Sequence, residues 1–209
     1  MAIYSTFFLC SEDELKAFFP EMRPALEEAV EILITDPSTG EKVKVLTREP
    51  EWDDLDTELP PPDVQVVAGH GDYQEYLESR LPGSLKQIPH WPSKNLTPLE
   101  LDPLVKAVLG DESAELKPAL FSPPSQGRFV SEFPVTFTRV LSIAEDDRVS
   151  EFAIEWSSTM SSHEFTHSIA GERIYEDWTI EDALVVINPI LELVKKLNQG
   201  QRMYLLVEF

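Results

Sequence analysis

Two runs at opposite ends of the chain, Ile3 to Leu9 and Met203 to Phe209, constrain the fold more than any other feature. Each is dominated by apolar, aromatic and β-branched residues over the length of one strand, without the polar alternation of a strand that keeps one face wet. Strands of that kind are covered on both sides and are too apolar for an exposed edge. Both are therefore expected in the same sheet. A length of 209 residues suits one large domain. At 42% hydrophobic and 10% aromatic residues, the chain can offset the entropy of ordering a core.

Between these runs the punctuation alternates helices with strands, which gives an α+β class: one domain, residues 1–209, with a mixed or antiparallel sheet packed against several helices. Ser11 and Glu14 form a capping box, Cys10 and Leu15 a hydrophobic staple, and Leu15, Phe18 and Phe19 the inward face of a short helix that Pro20 stops. Glu31–Thr35 and Lys42–Thr47 flank Asp36-Pro37-Ser38-Thr39-Gly40 and read as a hairpin. Asp72 with Glu75 opens a helix through Leu81, and Thr97-Pro98-Leu99-Glu100 opens another that reaches Leu109 and ends at Gly110. Pro89-His90-Trp91-Pro92 reads as a rigid aromatic turn lying over the core.

Phe129, Phe133, Val135 and Phe137 alternate with polar neighbours, so Phe129 to Thr138 is expected as a half-buried strand, placed at an edge by Pro134. Val149, Phe152, Ala153, Trp156 and Met160 fall at helical spacing and predict a helix from about Asp146 to Met160. Thr179 and Asp182 cap a last helix carrying Leu184, Ile187, Leu191, Val194 and Leu197, with Lys195 and Lys196 in its final turn and Gly200 ending it.

Seventeen basic against 38 acidic residues give a net charge of −21. Such a chain repels phosphate backbones and anionic lipid, so neither nucleic acid nor a membrane surface is an expected partner, whereas a basic protein is. The acidity is concentrated from Glu49 to Asp63, where Glu49, Glu51, Asp53, Asp54, Asp56, Glu58 and Asp63 stand with no basic residue among them and Pro60-Pro61-Pro62 interrupts. This stretch reads as a long exposed loop with a polyproline segment, and its seven acids are the candidate binding residues. Solubility, or a salt-adapted host, accounts for the same charge without a partner.

The lone cysteine, Cys10, excludes an internal disulfide and fits a reducing compartment. At the end of an apolar strand with acids following, its thiol should be a weak acid and a poor nucleophile. No basic n-region and no long apolar run occur, so the chain is expected to be cytoplasmic, of the bacterial-cytosol type. Phosphate-binding, dinucleotide-binding and serine-hydrolase signatures are missing from the sequence.

One motif carries chemistry. His163-Glu164-Phe165-Thr166-His167 spells H-E-x-x-H, in which two histidines one helical turn apart hold zinc and the glutamate serves as general base. It resembles the zinc-binding helix of the zincin metallopeptidases. That resemblance implies zinc as cofactor, His163 and His167 as ligands, Glu164 as catalytic base and a carboxylate third ligand, with Glu192 the candidate in the next helix. Against it, residues 157–162 are Ser-Ser-Thr-Met-Ser-Ser, a poor helix interior that should break the helix ahead of the motif, and no third histidine follows. The leading expectation is a protein-binding module without enzymatic activity or cofactor, an acidic inhibitor or immunity protein that masks a basic bacterial effector. A zinc-dependent hydrolase is the alternative.

Overall fold

The computed structural model describes residues 3–35, 42–50, 81, 83–161 and 178–209, and these fold as an α+β single domain. Tyr4–Cys10 forms β1 and Arg202–Glu208 forms β8, and the two pair antiparallel along their full length, from Tyr4 opposite Glu208 to Cys10 opposite Arg202. They sit inside a six-stranded antiparallel sheet with β2 (Arg23–Pro24), β5 (His90–Lys94), β6 (Lys117–Phe121) and β7 (Arg128–Glu132), in the order β2-β6-β7-β8-β1-β5. The chain's two ends thus make the neighbouring interior strands, as their composition requires.

Side chains alternate across a strand, and both faces of this sheet are covered. Phe7, Leu9, Met203, Leu205 and Val207 point into the larger core, built with α2 (Pro98–Leu109), α3 (Val135–Ser142), α4 (Asp146–Met160) and α5 (Ile180–Val194). Phe8, Cys10, Tyr204 and Leu206 point the other way, onto Leu15 and Phe19 at the end of α1 (Glu12–Phe18), and onto Met22 and Leu85. This two-sided burial explains why neither strand shows the apolar–polar alternation of a half-wet sheet. Ser5, buried on β1, is satisfied by donating to the Leu96 carbonyl at 2.5 Å and accepting from the Leu96 N–H at 3.2 Å.

The helix starts follow their caps. Ser11 and Glu14, Thr97 and Glu100, and Thr179 and Asp182 each form a reciprocal capping box. Gly110 closes α2 in the left-handed conformation at φ 63°, where a Cβ would be strained. The central helix pair α2 and α4 is joined by Trp156, whose indole N–H donates to the Glu100 carbonyl at 2.8 Å and whose ring packs edge-on to Trp178.

Three expectations are corrected. Phe129 to Thr138 is not one strand. β7 ends at Glu132, Pro134 caps the next element, and α3 begins at Val135. Phe133 and Phe137 satisfy a period of two, but Phe133, Phe137 and Leu141 also satisfy a period of four, and it is the helical set that is buried. Val135, which the strand reading points inward, is 50% exposed. Nor is β7 an edge, since it lies between β6 and β8. The Pro89-His90-Trp91-Pro92 turn is instead strand β5, pairing with β1 so that Trp91 faces Phe7 and Pro92 faces Thr6. Proline is tolerated there because, among the described residues, β5 is an outer strand that pairs on one side. The last helix ends at Val194, short of Leu197. Lys196 and Leu197 then donate to the carbonyls three residues back in a tightened turn before Gly200 at φ 83°.

Apart from the main sheet stands a two-stranded antiparallel ribbon, β3 (Val30–Thr35) with β4 (Lys42–Thr47), the two strands expected of the hairpin, paired from Val30 opposite Thr47 to Thr35 opposite Lys42. Its strands pack chiefly on one another. Its base is held where the Leu26 N–H donates to the Arg48 carbonyl at 2.8 Å and the Arg48 guanidinium to the Glu27 carbonyl at 2.6 Å. The turn between the strands lies outside the described residues, as does the expected helix from Asp72 through Leu81 except for its last residue, Leu81, which is buried.

Candidate functional site

Of the expected binding acids, Glu49 is described. It is half-buried beside a small cavity of about 160 Å³ under the aromatic row Phe121, Phe129 and Phe209. Glu51, Asp53, Asp54, Asp56, Glu58 and Asp63 lie outside the described residues, as do His163, Glu164 and His167. α4 ends at Met160 with Ser161 as its cap, so the serine-rich stretch supports helix as far as Met160. Glu192, the candidate third ligand, is on the exposed side of α5 and accepts from the Lys195 ammonium at 2.7 Å, which holds its carboxyl below the usual range. No three His, Cys, Asp or Glu side chains are grouped closely enough to hold a metal among the described residues.

Two further features stand out, and neither was legible as a site in the sequence. The first is a cleft of about 340 Å³ between α2 and α4, lined by Leu99, Asp102, Pro103 and Lys106 from one helix and by Glu155 and Thr159 from the other. Burial pushes the Asp102 carboxyl up, opposed by the Leu116 N–H that donates to Oδ1 at 2.8 Å, while Glu115 pushes it up further. A half-buried carboxyl held above its ordinary range gives up its proton less readily than a solvated one. Beside it stand Lys106 and two more carboxylates, Glu112 and Glu155.

Because the folded-state pKa of Asp102 lies above its unfolded value, its protonated form stabilises the fold. That contribution is complete below the ordinary carboxylate range and is lost as pH rises through the folded value. Asp102→Asn, which keeps an oxygen for the Leu116 N–H, is therefore expected to melt higher than the wild type at neutral pH, with the gain vanishing in acid. Thermal melts of both proteins across the acid-to-neutral range test this. A variant less stable at neutral pH would show that the carboxylate is held by partners and not penalised by burial.

The second feature is the ribbon. Val30, Ile32, Val43 and Val45 share one face and are each 37–43% exposed. On the other face Leu33 and Leu46 are 62% and 72% exposed, beside an exposed pair in which Lys44 donates to Glu31 at 2.6 Å. A lone two-stranded hairpin is marginal in water, and apolar side chains clustered on its surface mark a place for association. The hairpin itself was readable from its turn residues. The exposure was not, because apolar residues on both faces of both strands look the same whether they are covered or bare.

Cys10 is buried in the smaller core and its thiol is pushed up to about 12, first by burial and then by Glu14. The thiolate that a nucleophile or metal ligand needs is thus strongly disfavoured. No helix among the described residues is long and apolar enough to cross a membrane. No family model, curated protein or solved structure matches this chain.

Proposed function

We propose that this chain is a non-enzymatic protein-binding module whose partner is a basic protein, and that it serves as a cytoplasmic acidic inhibitor or immunity protein masking a basic bacterial effector. Its charge distribution carries the reading. The net charge is −21. Many of the cations on the described surface are matched by carboxylates at close range: Lys16 with Glu12 at 2.9 Å, Arg128 with Glu208 at 3.1 Å, Arg202 with Glu132 at 2.7 Å, and Arg148 with Glu151. The unmatched excess is acidic, and it is densest in the run from Glu49 to Asp63. A one-signed surface of this kind speeds encounter with a partner of opposite sign and rejects like-charged ones.

The test separates a specific contact from general attraction. Asp53, Asp54 and Asp56 are changed together to asparagine in one variant, and Asp147, Glu151 and Glu155 are neutralised in another, so both lose the same charge. Binding to a basic protein retained from the native host at low salt is then followed by its association rate. If residues 49–63 form the contact, the first variant associates about tenfold more slowly and with a weaker salt dependence, while the second stays near the wild type. Melting temperature is expected to change little in either, the result that solvated acids on both surfaces would give. Equal slowing in both variants would leave only unspecific attraction.

A further inference from the structure

Among the described residues the ribbon has two open edges, an exposed apolar face and a polarised charge. β3 carries Glu31 and follows Glu27 and Glu28, all exposed, whereas β4 carries Lys42 and Lys44, also exposed. Among the described residues neither outer edge pairs with another strand. Open edges present free N–H and C=O groups that template a further strand. We propose that the outer edge of β3 is a strand-addition site for an extended segment of alternating apolar and basic residues, supplied by the basic partner of the reading above, on which this inference rests.

Geometry and charge select that occupant. Six residues at about 3.4 Å each and two strands about 4.8 Å apart give a footprint of roughly 20 Å by 10 Å. That is far short of the roughly 800 Å² that each side of a stable interface buries. A second copy would also set −21 against −21. A basic partner gains electrostatic attraction beyond the ribbon. Charge also chooses the edge: beside β4 an incoming lysine or arginine meets Lys42 and Lys44, and beside β3 it shares Glu31, which already accepts from Lys44 at 2.6 Å, with Glu27 and Glu28 just ahead of the strand. The segment's apolar side chains then continue the face of Val30 and Ile32, and its basic ones lie on the face of Glu31.

The probe is a short peptide alternating valine and lysine, compared with a serine–lysine peptide of equal charge, a valine–glutamate peptide of equal apolarity, and a valine–lysine peptide methylated on alternate backbone nitrogens. Binding to the full chain is measured by fluorescence anisotropy at low and high salt. The valine–lysine peptide is expected to bind about tenfold or more tightly than the serine–lysine one, and Ile32→Thr, which keeps the strand preference, should remove that advantage. Backbone methylation should abolish it as well, because the methyl groups block ladder bonds. If the valine–lysine and serine–lysine peptides bind alike and both respond to salt, the strand-addition site is overturned while the basic-partner reading stands. If the valine–glutamate peptide binds as well as the valine–lysine one, the basic-partner reading falls. Sedimentation of the free chain completes the test: a dimer that Ile32→Thr dissociates would make a second copy the occupant and overturn the proposal, and a monomer supports it.

Discussion

Truncation after Met203 is expected to yield a chain with no cooperative thermal transition. The deletion removes Tyr204, Leu205, Leu206 and Val207, each at most 1% exposed, from the strand that hydrogen-bonds β1 on one side and β7 on the other. Four such side chains at about 1.5–3 kcal/mol each amount to about 6–12 kcal/mol of burial. That compares with the roughly 5–15 kcal/mol by which whole domains are stable. It also leaves β1, which is interior in the intact sheet, as an apolar edge open to aggregation. The near-ultraviolet circular dichroism should be lost, and calorimetry should show no endotherm. A sharp, reversible transition in the truncated chain would mean that β1 and β7 can close without β8, contrary to the sheet order.

Trp156→Ala should be the most damaging single substitution of a helix residue. The side chain is fully buried in the larger core, packs edge-on to Trp178 with ring centroids 4.9 Å apart, and donates its indole N–H across to α2 at the Glu100 carbonyl. Removing a buried tryptophan costs about 3–5 kcal/mol through lost transfer energy and the cavity left behind. In a chain of this size that lowers the melting temperature by about 10–15 °C. Trp156→Phe refills most of the volume but leaves the hydrogen bond unmade, so its loss should be smaller, about 1–3 kcal/mol. Ile154→Ala, two residues away on the same helix at 51% exposure, should fall within about 0.5 kcal/mol of the wild type. Denaturant melts of the three variants rank them, and equal effects at Trp156 and Ile154 would refute the inward face assigned to α4.

That inward face was readable in advance. Val149, Phe152, Ala153, Trp156 and Met160 are spaced for one side of a helix, and all of them are buried. The capping boxes at Ser11, Thr97 and Thr179 were equally legible, because a cap is a local bargain between a side chain and the backbone three residues away. The strand β6 had no such signal. Lys117-Pro118-Ala119-Leu120-Phe121 holds a proline and a register shift between Pro118 and Leu120, and it is a strand because β7 offers it a partner. The stretch after Phe129 was misread because its aromatic residues satisfy two periods at once, and which one is realised depends on what lies beneath them.

The candidate sites divide in the same way. The acids of 49–63 and the histidine motif are visible as letters, since a run of one charge or a fixed spacing needs no fold to be seen. The cleft around Asp102 and the exposed ribbon were invisible: no local signal says that Glu155, 53 residues on from Asp102, stands across a groove from it, or that Val30 and Ile32 stay 43% and 39% exposed. By itself the sequence determined the helix starts, the hairpin, the pairing need of the two terminal strands and the sign of the surface charge, because these follow from short-range hydrogen bonding, side-chain periodicity and composition. Tertiary structure alone decided the order of the strands, the helical fate of Val135 to Ser142, the raised pKa of Asp102, and the exposure of the ribbon. Each of those depends on which distant surfaces come to lie together, and burial is a property of the assembled neighbours rather than of the residue.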